Sequence, residues 1–161
     1  MIIRSASRDE LGSVLAFWQV AAENGSRPVD TLNAVEGLYR RDPEALLLAV
    51  DPAVDQGGGG GVIVGTVIAG WDGWRGHLYR LAVAPSRRRE GIGGLLIAAA
   101  EERFREFGAG RVDAMVLDGN ARAHGIWAAS GYRRQDDWSR WVKPLTGRGS
   151  PQPTVKPSHG R

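Results

Sequence analysis

The chain has 161 residues, the size of one ordinary domain able to bury about two-thirds of the surface its unfolded form exposes, which leaves no room for a second catalytic domain. Its formal charge of +3 would suggest nucleic acid, but residues 146–161 contain Arg148, Lys156 and Arg161 and none of the 18 acids, so the remaining 18 basic residues balance those acids across residues 1–145. A neutral body argues against a nucleic-acid partner, and the absence of cysteine excludes disulfides, thiolate metal sites and a cysteine nucleophile.

Residues 1–4 read as a short strand. Ser7 and Glu10 then have the spacing of a capping box, ahead of Leu11, Val14, Leu15, Trp18 and Ala22 at helical intervals. A second helix is expected to begin near Asp30, carry Leu32, Val35, Leu38 and Tyr39, and stop at Asp42, because Pro43 disfavours helical backbone before it. The irregular residues 24–29 between these helices border a candidate substrate pocket.

Residues 45–50 and 62–71 are continuous apolar runs and read as buried strands. The intervening residues 51–61 include five consecutive glycines; they form a hairpin loop or flexible linker and lack the Lys-Ser/Thr ending of a nucleotide P-loop. A polar turn at 72–76 leads to a strand at 77–83, then a glycine-studded turn opens a helix over 95–107. A strand at 112–117, a helix capped by Asn120 and running to Ala129, and a strand pair over 131–142 about a polar turn at 135–137 complete the expected elements.

The order β-α-α-β-β-β-α-β-α-β-β predicts an α/β or α+β fold with a mixed sheet whose middle strands are covered on both faces. Residues 1–145 form the expected domain, and the Pro-, Gly- and Ser-rich basic tail at 146–161 is expected to be disordered. The start of the chain lacks a signal-peptide pattern, and no apolar segment approaches the roughly 18 residues that span a bilayer. A soluble cytoplasmic protein without a membrane partner is the expectation.

Residues 83–94 carry the strongest chemical signal: an apolar strand end, Pro85, the arginines Arg87, Arg88 and Arg89, and then Gly91, Gly93 and Gly94 at the head of a helix. Glycines let backbone approach a ligand, and the unpaired amides of a helix N-terminus attract anions. Leu96 stands where the dinucleotide fingerprint needs its third glycine, so a pyrophosphate from another cofactor is indicated. The alternative is that Gly91 and Gly93 serve only close packing.

The pattern Arg88-x-x-Gly91-x-Gly93 after a strand ending near a proline, followed by Asn120-x-x-Ala123 and Gly131-Tyr132, resembles the GNAT (GCN5-related N-acetyltransferase) family. Gly65-Thr66-Val67 together with residues 71–76 is similar to its small bacterial RimI-like members. The resemblance implies the acyl-CoA N-acyltransferase fold with a splayed central sheet. It also implies acetyl-CoA as co-substrate and direct acetyl transfer to a primary amine on a small molecule, amino acid or peptide, and it leaves a homodimer open.

By the same resemblance, backbone groups of Leu81, Ala82 and Val83 pair with the pantetheine arm, and Arg88, Arg89, Glu90, Gly91, Ile92, Gly93 and Gly94 hold the pyrophosphate. Asn120 and Ala123 adjoin the pantetheine, although helix capping alone explains Asn120, and Arg87 and Arg89 are as well explained by a solvated charge cluster. Where the family often carries a tyrosine proton donor, four residues before its Gly-aromatic pair, this chain has Trp127, whose indole cannot act as that acid. Trp127 then becomes a packing wall for the cofactor, and the thiolate leaves unassisted or takes its proton elsewhere.

His77 and Tyr79 on the central strand, Glu23 beside the irregular segment, and Tyr132 are the candidate acid and base groups, with Asp72 and Asp118 as further carboxylates. Tryptophans at 71, 74, 138 and 141 line either a pocket or the core, and aromatics beside Asp72 and Glu23 suit a cationic amine. His77, His124 and His159 fall on separate elements without carboxylates at ligand spacing, so no metal is expected. Two rival readings are a non-catalytic acyl-CoA-binding or sensing domain, motivated by Trp127, and a ribosome-associated module using the basic tail.

Overall fold

The computed structural model describes residues 1–25, 29–53 and 61–145. Their elements are β1 (Ile2–Ser5), α1 (Leu11–Ala21), α2 (Leu32–Arg41), β2 (Leu46–Asp51), β3 (Val62–Trp71), β4 (Gly76–Val83), α3 (Ile92–Glu106), β5 (Val112–Ala114) and α4 (Ala121–Ala129). The strands form one sheet in the order β1-β2-β3-β4-β5. The first three pairings are antiparallel, and β5 joins β4 in parallel after the crossover through α3.

The continuous apolar run of β2 is explained by burial on both faces. Leu46, Leu48 and Val50 pack with Leu11, Val14, Trp18 and Val35 from α1 and α2, whereas Leu47 and Ala49 pack with Ile92, Leu96, Ala100 and Phe104 from α3. A strand of period two that meets helices on both sides has no polar face to show.

Local chemistry sets the helix ends. The Ser7 N–H donates to the Glu10 carboxylate at 2.8 Å, and Arg4 grips the same carboxylate at 2.6 and 2.8 Å, which ties β1 to a short 3-10 turn and the start of α1. The Thr31 hydroxyl caps α2 by accepting the Ala34 N–H at 3.2 Å, and the helix stops at Asp42 ahead of the proline as expected. Helix α3 lies close to the sheet because Gly65 and Gly76 face it; a Cβ on Gly76 would sit 2.9 Å from the Phe104 ring.

The class is the expected mixed α/β, but the last elements differ from the sequence reading. The strand expected over 112–117 ends at Ala114, and among the described residues no strand follows it, so the pair expected over 131–142 is absent. A three-residue edge strand offers little template for further pairing. The polar side chains of the segment also find local partners: Arg134 pairs with Asp118 and Asp136, and Arg111 reaches Gln135 at 3.0 Å. Trp138 and Trp141 remain 69% and 93% exposed.

The glycine-rich stretch at 54–60 and the tail at 146–161 lie outside the described residues. Among those described, no helix is long and apolar enough to cross a membrane.

Candidate functional site

Strand β4 carries an irregularity at the centre of the sheet. Ile68 faces Tyr79 and Thr66 faces Ala82, so β4 holds one residue more than β3 over this interval. Arg80 sits in this bulge with φ at 49°, a left-handed backbone that is uncommon for a side chain of this size. The bulge also reverses the facing of the strand: Leu78 packs toward α3 before it, and Leu81 and Val83 do so after it. A buried relay holds it, with Trp18 Nε1 donating to Thr66 Oγ1 at 2.9 Å and Thr66 Oγ1 donating to the Arg80 carbonyl at 3.0 Å.

Strand β5 accompanies β4 only through Gly76, His77 and Leu78. Beyond that point, among the described residues, no strand covers the far edge of β4. The Ala84 N–H donates to the Val64 carbonyl at 2.9 Å, so alternation turns Ala82 toward β3 as well, and Leu81 and Val83 present their N–H and C=O to the open edge. The expectation that three consecutive residues pair with a ligand strand is therefore revised: the Ala82 backbone faces β3. Arg88 Nε lies 3.4 Å from the Val83 carbonyl at this edge.

The open edge leads into the glycine turn. After a 3-10 turn at Pro85–Arg87, Arg89 and Gly91 take φ of 68° and 79°, and Gly91 caps α3 with no side-chain bond. Leu95 N–H donates to the Gly91 carbonyl at 3.1 Å as the first helical bond, so the amides of Ile92, Gly93 and Gly94 lie in the first turn, where a helix has no internal acceptors. That is the positive end of a 15-residue helix.

The residues of the turn divide into different roles. Gly91 supplies backbone conformation, with open space where a Cβ would stand, whereas a Cβ on Gly93 would clash with Ile126 of α4, so Gly93 serves helix packing. Arg87 is engaged by two acids, Glu90 at 2.8 Å and Asp51 at 2.6 Å, and so staples the turn to the end of β2. Arg88, Arg89 and Glu90 are exposed around it.

Helix α4 flanks this track. Asn120 Oδ1 accepts the Ala123 N–H at 3.2 Å and caps the helix. Trp127 is buried and meets the Tyr132 ring edge-on, with centroids 5.0 Å apart. Burial pushes the Tyr132 phenol well above its ordinary pKa, and the neighbouring Glu101 carboxylate adds to the shift. Glu101 stands about 13 Å along the α3 axis from the first helical residue, so this phenol lies beside the middle of the helix.

The remaining candidates gather elsewhere. His77 and Tyr79 are neighbours with ring centroids 6.1 Å apart, and His77 Nε2 lies 3.1 Å from Asp72 Oδ2. The other Asp72 oxygen accepts the Arg75 and Trp74 N–H groups at 2.7 and 2.8 Å. The Arg75 amide, His77 and the Trp74 amide together lower the Asp72 carboxyl to about 2. Burial raises the Tyr79 phenol. Glu23 Oε1 accepts the Gly25 N–H at 2.6 Å, which folds this carboxylate onto its own loop, and its carbonyl accepts from Arg80 at 2.9 Å.

The structure thus brings Asp72, His77 and Tyr79 together where β5 leaves β4 and sets Glu23 beside the bulge, with Tyr132 and Trp127 on the α3 side. Arg80 and the role of Thr66 were missed by sequence reasoning, although an arginine inside the apolar run Leu78-Tyr79-Arg80-Leu81 was a visible break in pattern. Among the described residues no cluster of three or more His, Asp or Glu could hold a metal ion.

Comparison with known proteins places this geometry. The profile of the Acetyltransferase (GNAT) family matches residues 14–132. An acetyltransferase of Yersinia pestis is 31% identical over 137 residues, covering 84% of this chain and 90% of that protein. Among solved structures, the aminoglycoside 6'-N-acetyltransferase of Acinetobacter haemolyticus superposes with a TM-score of 0.65 at 19% identity, covering 91% of this chain and all of that one. The NatC complex bound to Gag peptide and CoA gives 0.70 at 17% identity, covering 83% and 85%. With the family profile spanning most of its length and a relative of this similarity, the chain belongs to the GNAT family of acetyl-CoA-dependent N-acetyltransferases.

Proposed function

We propose that the chain acetylates a primary amine carried by a small molecule, an amino acid or a peptide, and that acetyl-CoA lies along the open edge of β4 with its pyrophosphate at the N-terminus of α3. The observation that carries this reading is the continuity of two features: the edge at Leu81 and Val83, which no described strand covers, runs directly into the glycine turn at Gly91, a helix cap with no side-chain bond. A pantetheine arm has amides that can add to a sheet edge, and its diphosphate suits a helix N-terminus.

Acetyl-CoA supplies an acyl group activated as a thioester; the rest is done by the protein. Leu81 and Val83 hold the arm in strand-like register, and the amides of Ile92, Gly93 and Gly94 with Arg88 and Arg89 meet the phosphate charge. Asn120 and Ala123 line the arm from α4, and Trp127 walls the sulfur end. The amine must arrive neutral. In this reading His77 takes its proton, supported by Asp72, which is ionised at any pH well above about 2 and keeps an acceptor on the imidazole. Tyr79 stays protonated at neutral pH and serves as a hydrogen-bond donor beside it. A thiol of ordinary acidity can leave without a dedicated acid, which accommodates Trp127.

The fold neighbours include one enzyme named for an aminoglycoside and one complex holding a peptide, so the scaffold accommodates both kinds of acceptor. Thiol release from acetyl-CoA, measured against a panel of amino acids, polyamines, an aminoglycoside and peptides with free N-termini, tests the proposal. Saturable release with at least one amine is the expected result. CoA binding without turnover on any of them supports the rival reading of a non-catalytic acyl-CoA-binding domain.

A further inference from the structure

Arg80 is 6% exposed in the middle of the sheet, yet the cofactor track makes no use of its side chain. Among the described residues its side chain meets groups between Trp18 and Asp30. Nη1 donates to the Glu23 carbonyl at 2.9 Å and to Asn24 Oδ1 at 3.0 Å, and the guanidinium pairs with the Asp30 carboxylate. It also stacks over the Trp18 ring, with Cζ 5.2 Å from the centroid. One side chain therefore grips both ends of the connection between α1 and α2: Glu23 and Asn24 where it leaves α1, and Asp30 just before α2. Asn24 bonds back in turn to the Trp18 carbonyl at 3.0 Å.

The backbone of the same residue is the bulge, held by Thr66, and the bulge is where the open edge of β4 begins. A planar, rigid guanidinium can meet a backbone carbonyl, a side-chain amide and a carboxylate while stacking on the Trp18 ring, whereas an ammonium is a more strongly hydrated point charge that does not stack in this way. Keeping a charged residue buried in left-handed backbone is unfavourable unless its contacts over-determine it, as they do here.

We infer that Arg80 is a positioning residue: it latches Glu23 and Asn24, at the end of α1, and Asp30, ahead of α2, onto the bulge of β4, and so fixes these residues where the acceptor amine approaches. The inference rests on the proposed cofactor track, because that track makes the bulge the acetyl end of the cleft. Glu23, considered above as a base, becomes part of this latch through its carbonyl.

Arg80→Met and Arg80→Lys test it, read by hydrogen exchange of residues 19–25 and 29–34, by calorimetric titration with CoA, and by kinetics with the best amine of the panel. The methionine variant is expected to exchange about tenfold faster in both segments, with CoA affinity held within about twofold and amine KM raised about tenfold while kcat changes far less. Lysine is expected to restore only part of the protection. Unchanged exchange in Arg80→Met overturns the latch, as does an equal loss of CoA and amine affinity. Should the methionine variant not fold, Asp30→Asn, at the partly exposed end of the pair, takes its place under the same exchange criterion. If no amine turns over in the unmodified protein, the proposed function falls while the exchange comparison still decides the latch.

Discussion

Gly91 and Arg80 show what a single residue can and cannot disclose. Gly91 was legible in the sequence because its requirement is local: a helix start with φ at 79° favours glycine. Arg80 was not, because its partners at positions 18, 23, 24 and 30 lie about fifty residues or more away in the chain. Glu10 belongs to the legible kind. Its hydrogen bonds to Arg4 hold the carboxyl at about 2 against the opposing effect of burial. The folded value lies below the unfolded one of about 4.3, so the unfolded chain takes up the proton first as pH falls. The stabilisation is therefore complete above about pH 4.5 and lost progressively toward pH 2. Glu10→Gln is expected to lower the melting temperature at pH 7, with the gap to the unmodified protein closing by pH 2; a gap independent of pH would contradict the assignment.

At the scale of elements, periodicity located α1, α2 and α3 and the apolar runs located β2 and β3, because burial writes its pattern directly into those segments. It misled over residues 131–142. The polar turn at 135–137 with aromatics on either side suggested a strand pair, but a strand needs a partner edge, and a β5 of three residues gives too little. The bulge of β4 was also invisible, since one extra residue changes register without changing composition. The approach of α3 to the sheet is a sharper test of packing. Gly76→Ala places a methyl 2.9 Å from the Phe104 ring, a rigid neighbour, and is expected to lower stability by about 1–3 kcal/mol in urea titration. Combining it with Phe104→Leu is expected to recover part of that loss, so that the two changes are not additive.

For the molecule as a whole, the site follows from topology. Three antiparallel pairings end at β4, the parallel strand β5 then diverges after three residues, and α3 begins at the mouth of the resulting gap. The residues that mark the turn could be picked out from sequence, whereas the gap exists only once the strands are arranged. Residues 1–145 are neutral overall, so recognition of a charged ligand rests on local groups, the helix amides and a few arginines. The central claim is that this turn and the open edge of β4 form one acetyl-CoA site. Calorimetric titration of CoA into the unmodified protein and into Gly91→Val, with circular dichroism to verify that the variant is folded, tests it most directly. The account predicts saturable binding to the former and affinity lower by about a hundredfold or more in the latter, because a β-branched residue cannot hold φ near 79°. A folded Gly91→Val that binds CoA as tightly as the unmodified chain would contradict it.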